Sequence, residues 1–534
     1  MLAEQPGITD EAKNDELVPH CLEASALKAL QKNGQRVFQS KALRRADRER
    51  LVRNGFLREV MKGWLISASP SSQDGDSTSW YASFWEFCGQ YCEERFGDEW
   101  HLSAEQSLLL YGENTVIPTQ VVINSLKGAN NRVDLQFGTS MYDLKVPRMP
   151  EATDLAVRDR MRVIVPESAL IRVSEAFFTR HPIEIRTTLT CIGDASEIIR
   201  RLLDGGHSVV AGRLAGALRA VNRGAVADEI VDTMKAAGYE VRESDPFGGE
   251  RLTAPAVSAE PPIAGRIRTL WGSMRPKVLD IFPEAPGLPG DTENYLRVID
   301  ETYRNDAYHS LSIEGYTVTP ELIERVREGN WNTENHSADR ENRDALAARG
   351  YWQAFRVVKG DVAAIIGGSN AGKVVRDEHR VWYREMFQPC VIAGMIGPGA
   401  LAGYRNEPVY LRGSRYVPPR WEAVRDAMPV LFDLLENETD AGVRAVLGHW
   451  MLGYIHPFPD GNGRVARFLM NAMLASGGYP WTIIRVDDRV PYLAALDRAS
   501  VDNDIRPFAE FIGERMRLEL PAGSMTFSGR TALS

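Results

Sequence analysis

The chain has 534 residues, which is more than one ordinary hydrophobic core accommodates, so we expect two or three domains. Hydrophobic residues make up 44% and charged residues 25%, a composition typical of a soluble globular protein. The formal net charge of −9 argues against a globally basic nucleic-acid binder but leaves room for a local basic patch.

The cysteines argue against two classes of small, cross-linked fold. There are five of them, an odd number, at wide spacing and without a CxxC pair, which disfavours both a disulfide framework and a zinc ribbon. Cys88 and Cys92 share a helix face and are expected to be buried core thiols. The first twenty residues lack the apolar region of a secretory signal, and no apolar stretch reaches about 18 residues, so we expect no membrane span and a cytoplasmic protein.

The N-terminal part predicts a disordered tail over 1–22 and a compact module over 23–70. A first helix ends at Gly34, Ser40 is expected to cap a second helix over 41–55, and residues 56–66 suggest a hairpin or wing. This module resembles the winged helix-turn-helix that opens the AbiEi family of antitoxin-type regulators, most closely over 25–66.

The AbiEi resemblance implies a recognition helix whose basic side chains contact DNA phosphates. The candidate DNA-binding residues are Lys41, Arg44, Arg45 and Arg48. Asp47 and Glu49 dilute their charge. A protein-docking module with a solvated charged face is an equally open interpretation.

The rest of the chain divides by composition. Helical and strand-like runs alternate over 71–243, which predicts a mixed α/β region, and the stretch 244–263 is rich in Pro, Gly and Ala and is interpreted as a linker. Helical patterns dominate 264–520, and 521–534 is predicted to be a tail. A GxxxxGK sequence over 367–373 lacks the Ser or Thr that would follow it in a phosphate-binding P-loop, because Val374 stands there. We interpret that sequence as a loop that ends a helix.

The most informative stretch is IHPFPDGNGRVARFLMN, from Ile455 to Asn471. Apolar residues before it recur at helical spacing, two prolines then forbid further helix, and Asn462 stands where a helix N-cap would. The second helix is apolar on nearly all sides except for Arg464, Arg467 and Asn471.

These residue types together predict a polyphosphate site. Buried arginines need an anionic partner, since an unpaired buried charge is very costly. The helix N-terminus behind the Gly461–Asn462–Gly463 turn adds free N–H groups and a positive dipole end. Asp460 offers the hard oxygen ligand that Mg²⁺ on a nucleotide requires, and His456 can act as a general base.

The same residues match the signature HxFx(D/E)GNGRxxR at every fixed position, and the chain therefore resembles the Fic family over roughly 265–518. The resemblance implies a mainly α-helical core that transfers AMP from ATP, with Mg²⁺, to a Ser, Thr or Tyr hydroxyl of a protein. It implies that His456 takes the hydroxyl proton and that Asp460 holds Mg²⁺. The turn at Gly461, Asn462 and Gly463 would cradle the phosphates, Arg464 would contact the β-phosphate, and Arg467 the γ-phosphate.

A second segment, Ser310 to Gly315, fits the inhibitory pattern (S/T)xxxE(G/N) of the same family. The resemblance implies that Glu314 pairs with Arg467 and occupies the γ-phosphate site. The alternative is an ordinary helix C-terminus with a solvated glutamate. In some relatives this glutamate also positions a water that removes AMP, so auto-AMPylation and de-AMPylation both stay open.

The segment from Gly403 resembles the family's target-docking flap. Residues 409–418, beginning with Val409, Tyr410 and Leu411, are predicted to form a small β-hairpin that binds the target's backbone as an added strand. The alternative is an ordinary surface hairpin. Arg489 and Tyr492 are further candidates for positions near the nucleotide.

Three functional hypotheses follow. The first is an autoinhibited protein adenylyltransferase with a protein substrate, for which a homodimer is a possible assembly. The second is a DNA-binding transcriptional regulator in which the Fic core is secondary. The third keeps the fold but transfers another group, such as UMP or phosphocholine.

Overall fold

The computed structural model describes residues 34–70, 75–248, 260–329 and 343–519. They fall into two compact units. The first takes the described residues of Met1–Ser107, Val116–Arg172 and Tyr410–Val417, and the second those of Leu108–Thr115, Val173–Val409 and Pro418–Ser534. The predicted tails, the first helix of the N-terminal module up to Asn33 and most of the linker lie outside the described residues.

The N-terminal module is a three-stranded antiparallel sheet with one helix. Its elements are β1 (Val37–Gln39), α1 (Arg45–Arg53), β2 (Leu57–Met61) and β3 (Trp64–Ser67), and the strand order is β1-β3-β2. The helix packs on the sheet through a small apolar core of Phe38, Leu51, Leu57 and Leu65.

The second helix of this module begins later than the sequence predicts. Residues Ser40–Ala42 form a 3₁₀ turn and Leu43 is extended, so the α-helix starts only at Arg45. The prediction that Ser40 caps this helix is wrong, because its N-cap residue is Arg44 and no side chain supplies the cap. The side chain of the extended Leu43 packs against the small core.

The remainder of the first unit contains a mixed four-stranded sheet of order β4-β5-β7-β6 and a two-stranded hairpin, β8–β9. Strand β5 pairs in parallel with β7 and antiparallel with β4. Val121 and Ile123 alternate with less buried neighbours along β5, as a sheet with one covered face requires. The elements of this region are α2 (Thr78–Phe96), β4 (Trp100–Leu102), α3 (Ala104–Tyr111), β5 (Gln120–Ser125), β6 (Asn131–Asp134), β7 (Ser140–Lys145), β8 (Leu155–Arg158), β9 (Met161–Ile164) and α4 (Pro166–Arg172).

The second unit is built of helices from Val173 onward. Five precede the linker: α5 (Glu175–Arg180), α6 (Pro182–Thr190), α7 (Ser196–Gly205), α8 (Ser208–Ala220) and α9 (Gly224–Ala236). The others are α10 (Pro262–Ile281), α11 (Thr292–Ile313), α12 (Pro320–Arg327), α13 (Arg343–Ile366), α14 (Ala371–Ile392), α15 (Val424–Asn437), α16 (Ala441–Ile455), α17 (Asn462–Ala475), α18 (Arg489–Val501) and α19 (Arg506–Leu518).

Two predicted boundaries differ from this arrangement. The predicted α/β region extends to 243, but its residues from Val173 are helical and pack within the second unit. The predicted linker extends to 263, yet α10 already begins at Pro262, whose fixed φ suits the first turn of a helix. The P-loop-like sequence is a turn between α13 and α14, with Asn370 as the N-cap of α14.

Residues 403–420 contain no β-strand, so the predicted β-hairpin flap is wrong as secondary structure. Arg412 and Gly413 form a turn, and the chain on either side lacks a paired ladder. The prolines at 408, 418 and 419 explain this in part, because proline donates no backbone hydrogen bond. No helix in the described ranges is long and apolar enough to cross a bilayer.

Candidate active site

The candidate site is the turn between α16 and α17. Asp440 is the N-cap of helix α16, and its side chain accepts a hydrogen bond from the Val443 amide at 2.9 Å. The C-cap of the same helix is His456. His456 adopts a left-handed backbone conformation with φ 52°, which is uncommon for a residue with a side chain. Its Nδ1 lies 3.3 Å from the Gly453 carbonyl oxygen, so with the proton on Nδ1 the Nε2 atom is free to accept a proton.

Phe458 and Asn462 close the turn. The Phe458 ring is fully buried and stacks on Tyr383 with centroids 4.2 Å apart. The Asn462 side chain accepts from the Phe458 amide at 2.9 Å and donates to the Phe458 carbonyl at 2.8 Å. The interpretation of Asn462 as an N-cap is therefore wrong, because Gly461, with φ 75°, is the cap residue. The Asn462 side chain instead links the two ends of the turn by its bonds to Phe458. A Cβ at Gly461 would lie 2.7 Å from the Phe387 ring.

Two buried arginines project from the first turns of α17. Only 1% of the Arg464 side chain and 4% of the Arg467 side chain is exposed. The Arg464 guanidinium carbon lies 4.9 Å from the Phe387 ring centroid and 5.2 Å from that of Tyr316. Within the described ranges, Arg464 Nε and Arg467 Nη1 are buried without a hydrogen-bond partner. These unused donors are what an anion at this position would satisfy.

The C-terminal end of α11 supplies a carboxylate to the same place. Glu314 Oε1 lies 2.7 Å from Arg467 Nη2, and the Ser310 hydroxyl accepts from Arg467 Nε at 2.8 Å. A Cβ on Gly463 would lie 2.4 Å from Glu314 Oε1, so the carboxylate sits directly on the N-terminus of α17. Burial acts to raise the pKa of Glu314, but the charges of Arg467 and Arg464 outweigh it and lower the pKa. Glu314 is therefore an anion at neutral pH.

His456 is neutral under the same conditions. Burial lowers its pKa to about 4, with a further contribution from the Arg405 charge, while Glu314 and Asp460 act in the opposite direction. A neutral imidazole near pH 7 can accept a proton, which is the state a general base requires.

Asp460 is the candidate metal ligand. Its side chain is 60% exposed, and Oδ2 lies 3.7 Å from Arg464 Nη2. Among the described residues no group of three His, Cys, Asp or Glu side chains could hold a metal ion. A single accessible carboxylate beside an anion site fits Mg²⁺ that arrives on a nucleotide, because this ion keeps several waters and phosphate oxygens as ligands.

Tyr492, a further candidate, lies near Arg467 and acts to raise the pKa of that guanidinium, whereas most of the predicted flap and DNA-contact residues belong to the first unit. Tyr410 and Leu411 belong to the first unit, where the Arg36 guanidinium lies over the Tyr410 ring, and Val409 belongs to the second. Of the candidate DNA contacts, Lys41 pairs with Glu94 at 2.7 Å, Arg44 with Asp47 at 2.8 Å and Arg45 with Glu49 at 2.7 Å, and Arg48 is half-buried.

Sequence reasoning missed several contributors. Arg405 is 2% exposed and donates to the His456 carbonyl at 2.7 Å. The rings of Tyr316 and Phe387 enclose Arg464. Arg489, a candidate for nucleotide contact, instead donates to the Ile313 carbonyl at 2.8 Å at the end of α11. No periodicity or motif in the single sequence marks these long-range contacts.

Residues 375–474 match the family model of the Fic/DOC family. The Protein adenylyltransferase Fic of Nematostella vectensis is 30% identical over 289 residues, which span 52% of this chain and 64% of that protein. Its namesake from Drosophila willistoni is 32% identical over 225 residues, 41% of each chain. A solved Fic-1 segment from C. elegans is 20% identical with a TM-score of 0.36, covering 63% of this chain and 96% of that one. The chain thus spans less than two thirds of these curated relatives, and the segment with the candidate site is similar to the Fic/DOC family.

Proposed function

We propose that the second unit is a protein adenylyltransferase that moves AMP from ATP to a Ser, Thr or Tyr hydroxyl of a protein target. The observation that carries this proposal is the pairing of a neutral His456 with a buried anion site made by Arg464, Arg467 and the N-terminus of α17. A base and a phosphate cradle on opposite ends of one short turn are what attack on a nucleotide phosphate needs. The similarity to named adenylyltransferases supports the choice of AMP.

In the proposed reaction the target hydroxyl oxygen forms a bond to the α-phosphorus of ATP. The bond from that phosphorus to the β-bridging oxygen breaks, and pyrophosphate leaves. His456 Nε2 takes the hydroxyl proton, while Arg464 and Arg467 neutralise the phosphates. Asp460 would hold Mg²⁺, which when bound offsets the charge on the phosphates.

The Glu314–Arg467 pair supports autoinhibition as part of this function. The carboxylate uses a donor of Arg467 and lies on the α17 amides, where a terminal phosphate of ATP would otherwise bind. Like charges repel, so ATP binds productively only when Glu314 moves away.

The first test identifies the transferred group. The purified Glu314→Gly chain is incubated with Mg²⁺ and ATP labelled on either the α- or the γ-phosphate, with the other nucleotide triphosphates as competitors. We expect protein-bound label from α-labelled ATP alone, reduced at least about 100-fold by His456→Ala. Replacement of the exposed His207 by alanine is the matched control and should leave labelling unchanged. Labelling from the γ-phosphate, or none from any nucleotide, would contradict AMP transfer.

The pH dependence tests the state of the base. Because burial lowers the pKa of His456 to about 4, its reactive neutral form predominates at every pH well above that value. Glu314 acts to raise this pKa, so in the Glu314→Gly chain we expect the acid limb of kcat/KM for ATP to lie below about pH 4 and the profile to be level by about pH 6. The measurement is a pH series restricted to conditions in which circular dichroism shows a folded chain. An acid limb near 6.5, the ordinary value for histidine, would mean that His456 is not the buried base.

A second candidate function is DNA binding through α1. It is favoured by the high exposure of the Arg44 and Arg45 side chains, 89% and 84%, beside a β2–β3 hairpin. Their acidic partners reduce the net charge, so any binding should be weak and strongly dependent on salt. A Glu substitution at Arg45 and Arg48 should abolish a gel shift with duplex DNA in low salt. An unaltered shift would exclude α1 as the DNA-binding element.

A further inference from the structure

The Arg405 side chain connects parts of the second unit that are distant in sequence. Its Nε donates to the His456 carbonyl at 2.7 Å, and its Nη2 to the Pro419 carbonyl and, at 3.5 Å, to that of Ile455. Its Nη1 donates to the Glu407 carbonyl at 3.0 Å, and its own amide to the Pro457 carbonyl at 2.8 Å. The guanidinium of Arg405 thus donates to four backbone carbonyl oxygens.

Two of those oxygens are the ones that the end of α16 leaves without a helical partner. The last carbonyls of any helix have no donor within the helix, and here the Ile455 and His456 carbonyls accept from Arg405 instead. His456 also has a left-handed backbone conformation, which is unfavourable for a residue with a side chain. A buried, charge-assisted bond to its carbonyl helps to hold that conformation, and with it the direction of the imidazole.

The remaining two oxygens flank the segment 408–418, since Glu407 precedes it and Pro419 follows it. We infer that Arg405 is a positioning residue, which fixes the backbone of His456 for proton transfer and ties it to both ends of the 408–418 segment. The inference rests on the proposed function for its catalytic readout. Movement of either end of this segment would therefore shift the Arg405 side chain, and with it the backbone of His456.

The kinetic test uses the full-length Glu314→Gly chain with Arg405→Met or Arg405→Lys added. We expect kcat for AMP transfer to fall about 100-fold with methionine, because a small misplacement of the base is enough. KM for ATP should stay within about threefold, since Arg464 and Arg467 are untouched. Lysine can donate to some of the same carbonyls and should restore part of kcat. The exposed Arg425, replaced by methionine, is the control and should change neither constant.

A second readout does not depend on AMP transfer. Diethyl pyrocarbonate acylates neutral imidazole, so the pH dependence of its reaction at His456, followed by peptide mass spectrometry, reports the pKa of that ring. Removing the Arg405 charge should raise the midpoint in the methionine variant and leave it nearly unchanged in the lysine variant. Exposed His207 serves as internal reference.

The outcomes separate the inference from the proposed function. If the Glu314→Gly parent transfers no AMP, a midpoint that is higher in Arg405→Met than in that parent would support the contact of Arg405 with His456 while AMP transfer is refuted. Unchanged kcat and unchanged midpoint in Arg405→Met would overturn the inference. If Arg405→Met does not fold, Arg405→Lys decides: a loss of about tenfold in kcat at constant KM supports the inference, and an unchanged kcat overturns it.

Discussion

Replacing Glu314 by glycine is expected to raise the rate of AMP transfer about 100-fold, which corresponds to about 2.7 kcal/mol. That energy is within the range of one charge-assisted hydrogen bond, and Glu314 makes such a bond to Arg467 at 2.7 Å. The carboxylate also lies against Gly463 at the start of α17. Its removal frees both the arginine and the helix amides for a phosphate. Initial rates with labelled ATP measure the effect.

Two further variants separate the effect of the Glu314 charge from that of losing a side chain. Glu314→Gln keeps the size of the side chain and should release only part of the inhibition, because the amide still occupies the space. Glu321→Gly removes an exposed glutamate near the start of α12 and should have no effect on the rate. Equal rates for Glu314→Gly and Glu321→Gly would show that the pair with Arg467 is not a brake.

The same substitution should change stability in the opposite direction. Without Glu314, Arg467 is a buried cation that has lost its carboxylate, and the melting temperature of the free chain should fall. ATP supplies the missing anion, so it should raise the melting temperature more in Glu314→Gly than in the parent. An equal shift by ATP in both chains would contradict competition for Arg467.

The grouping of the candidate site residues follows from the sequence more directly than the architecture around them. The motif from His456 to Arg467 is contiguous, so local spacing alone brings its residues to one turn, and the structure does so. The pattern around Glu314 also pointed to a partner that the structure supplies at 2.7 Å. The role of Asn462 was misjudged, because its amide bonds to Phe458 and only the positive φ of Gly461 makes the cap.

Long-range contacts explain what the sequence could not predict. Arg405 is 51 residues from His456, and nothing in its neighbourhood indicates a bond to that carbonyl. The unit boundary was missed for the same reason. The sequences of helices α5 to α9 do not indicate which unit they join, and only their packing shows that they belong with the second unit and not with the α/β region.

A buried ion pair provides a test of whether helices α5 to α9 are part of the second unit. Arg266 on α10 lies 3.0 Å from Glu184 on α6, and the two side chains are 1% and 2% exposed. Arg266 also donates to the Tyr454 hydroxyl at 2.7 Å, two residues before His456, and Asn114 donates to Glu184 at 2.9 Å. The pair therefore joins the helices before the linker to the helix that ends at the candidate base.

Glu184→Ala is expected to destabilise the second unit by about 3–5 kcal/mol, because it leaves Arg266 charged and buried without its carboxylate. The melting temperature of that unit should fall by roughly 10 °C. The matched control, Glu197→Ala, breaks an exposed pair with Arg200 on α7 and should cost less than about 1 kcal/mol. Calorimetry or circular dichroism measures both.

A compensating change separates the lost partner from the lost packing. Glu184→Leu combined with Arg266→Met replaces both charges by apolar groups of similar size and should recover most of the stability lost in Glu184→Ala. If the double variant is as unstable as the single one, the charge of Arg266 is not the cause.

By the same reasoning, a fragment that begins at residue 264 retains Arg266 but lacks Glu184. It should fold poorly even though it contains the whole of the candidate active site, because part of its core lies before the linker.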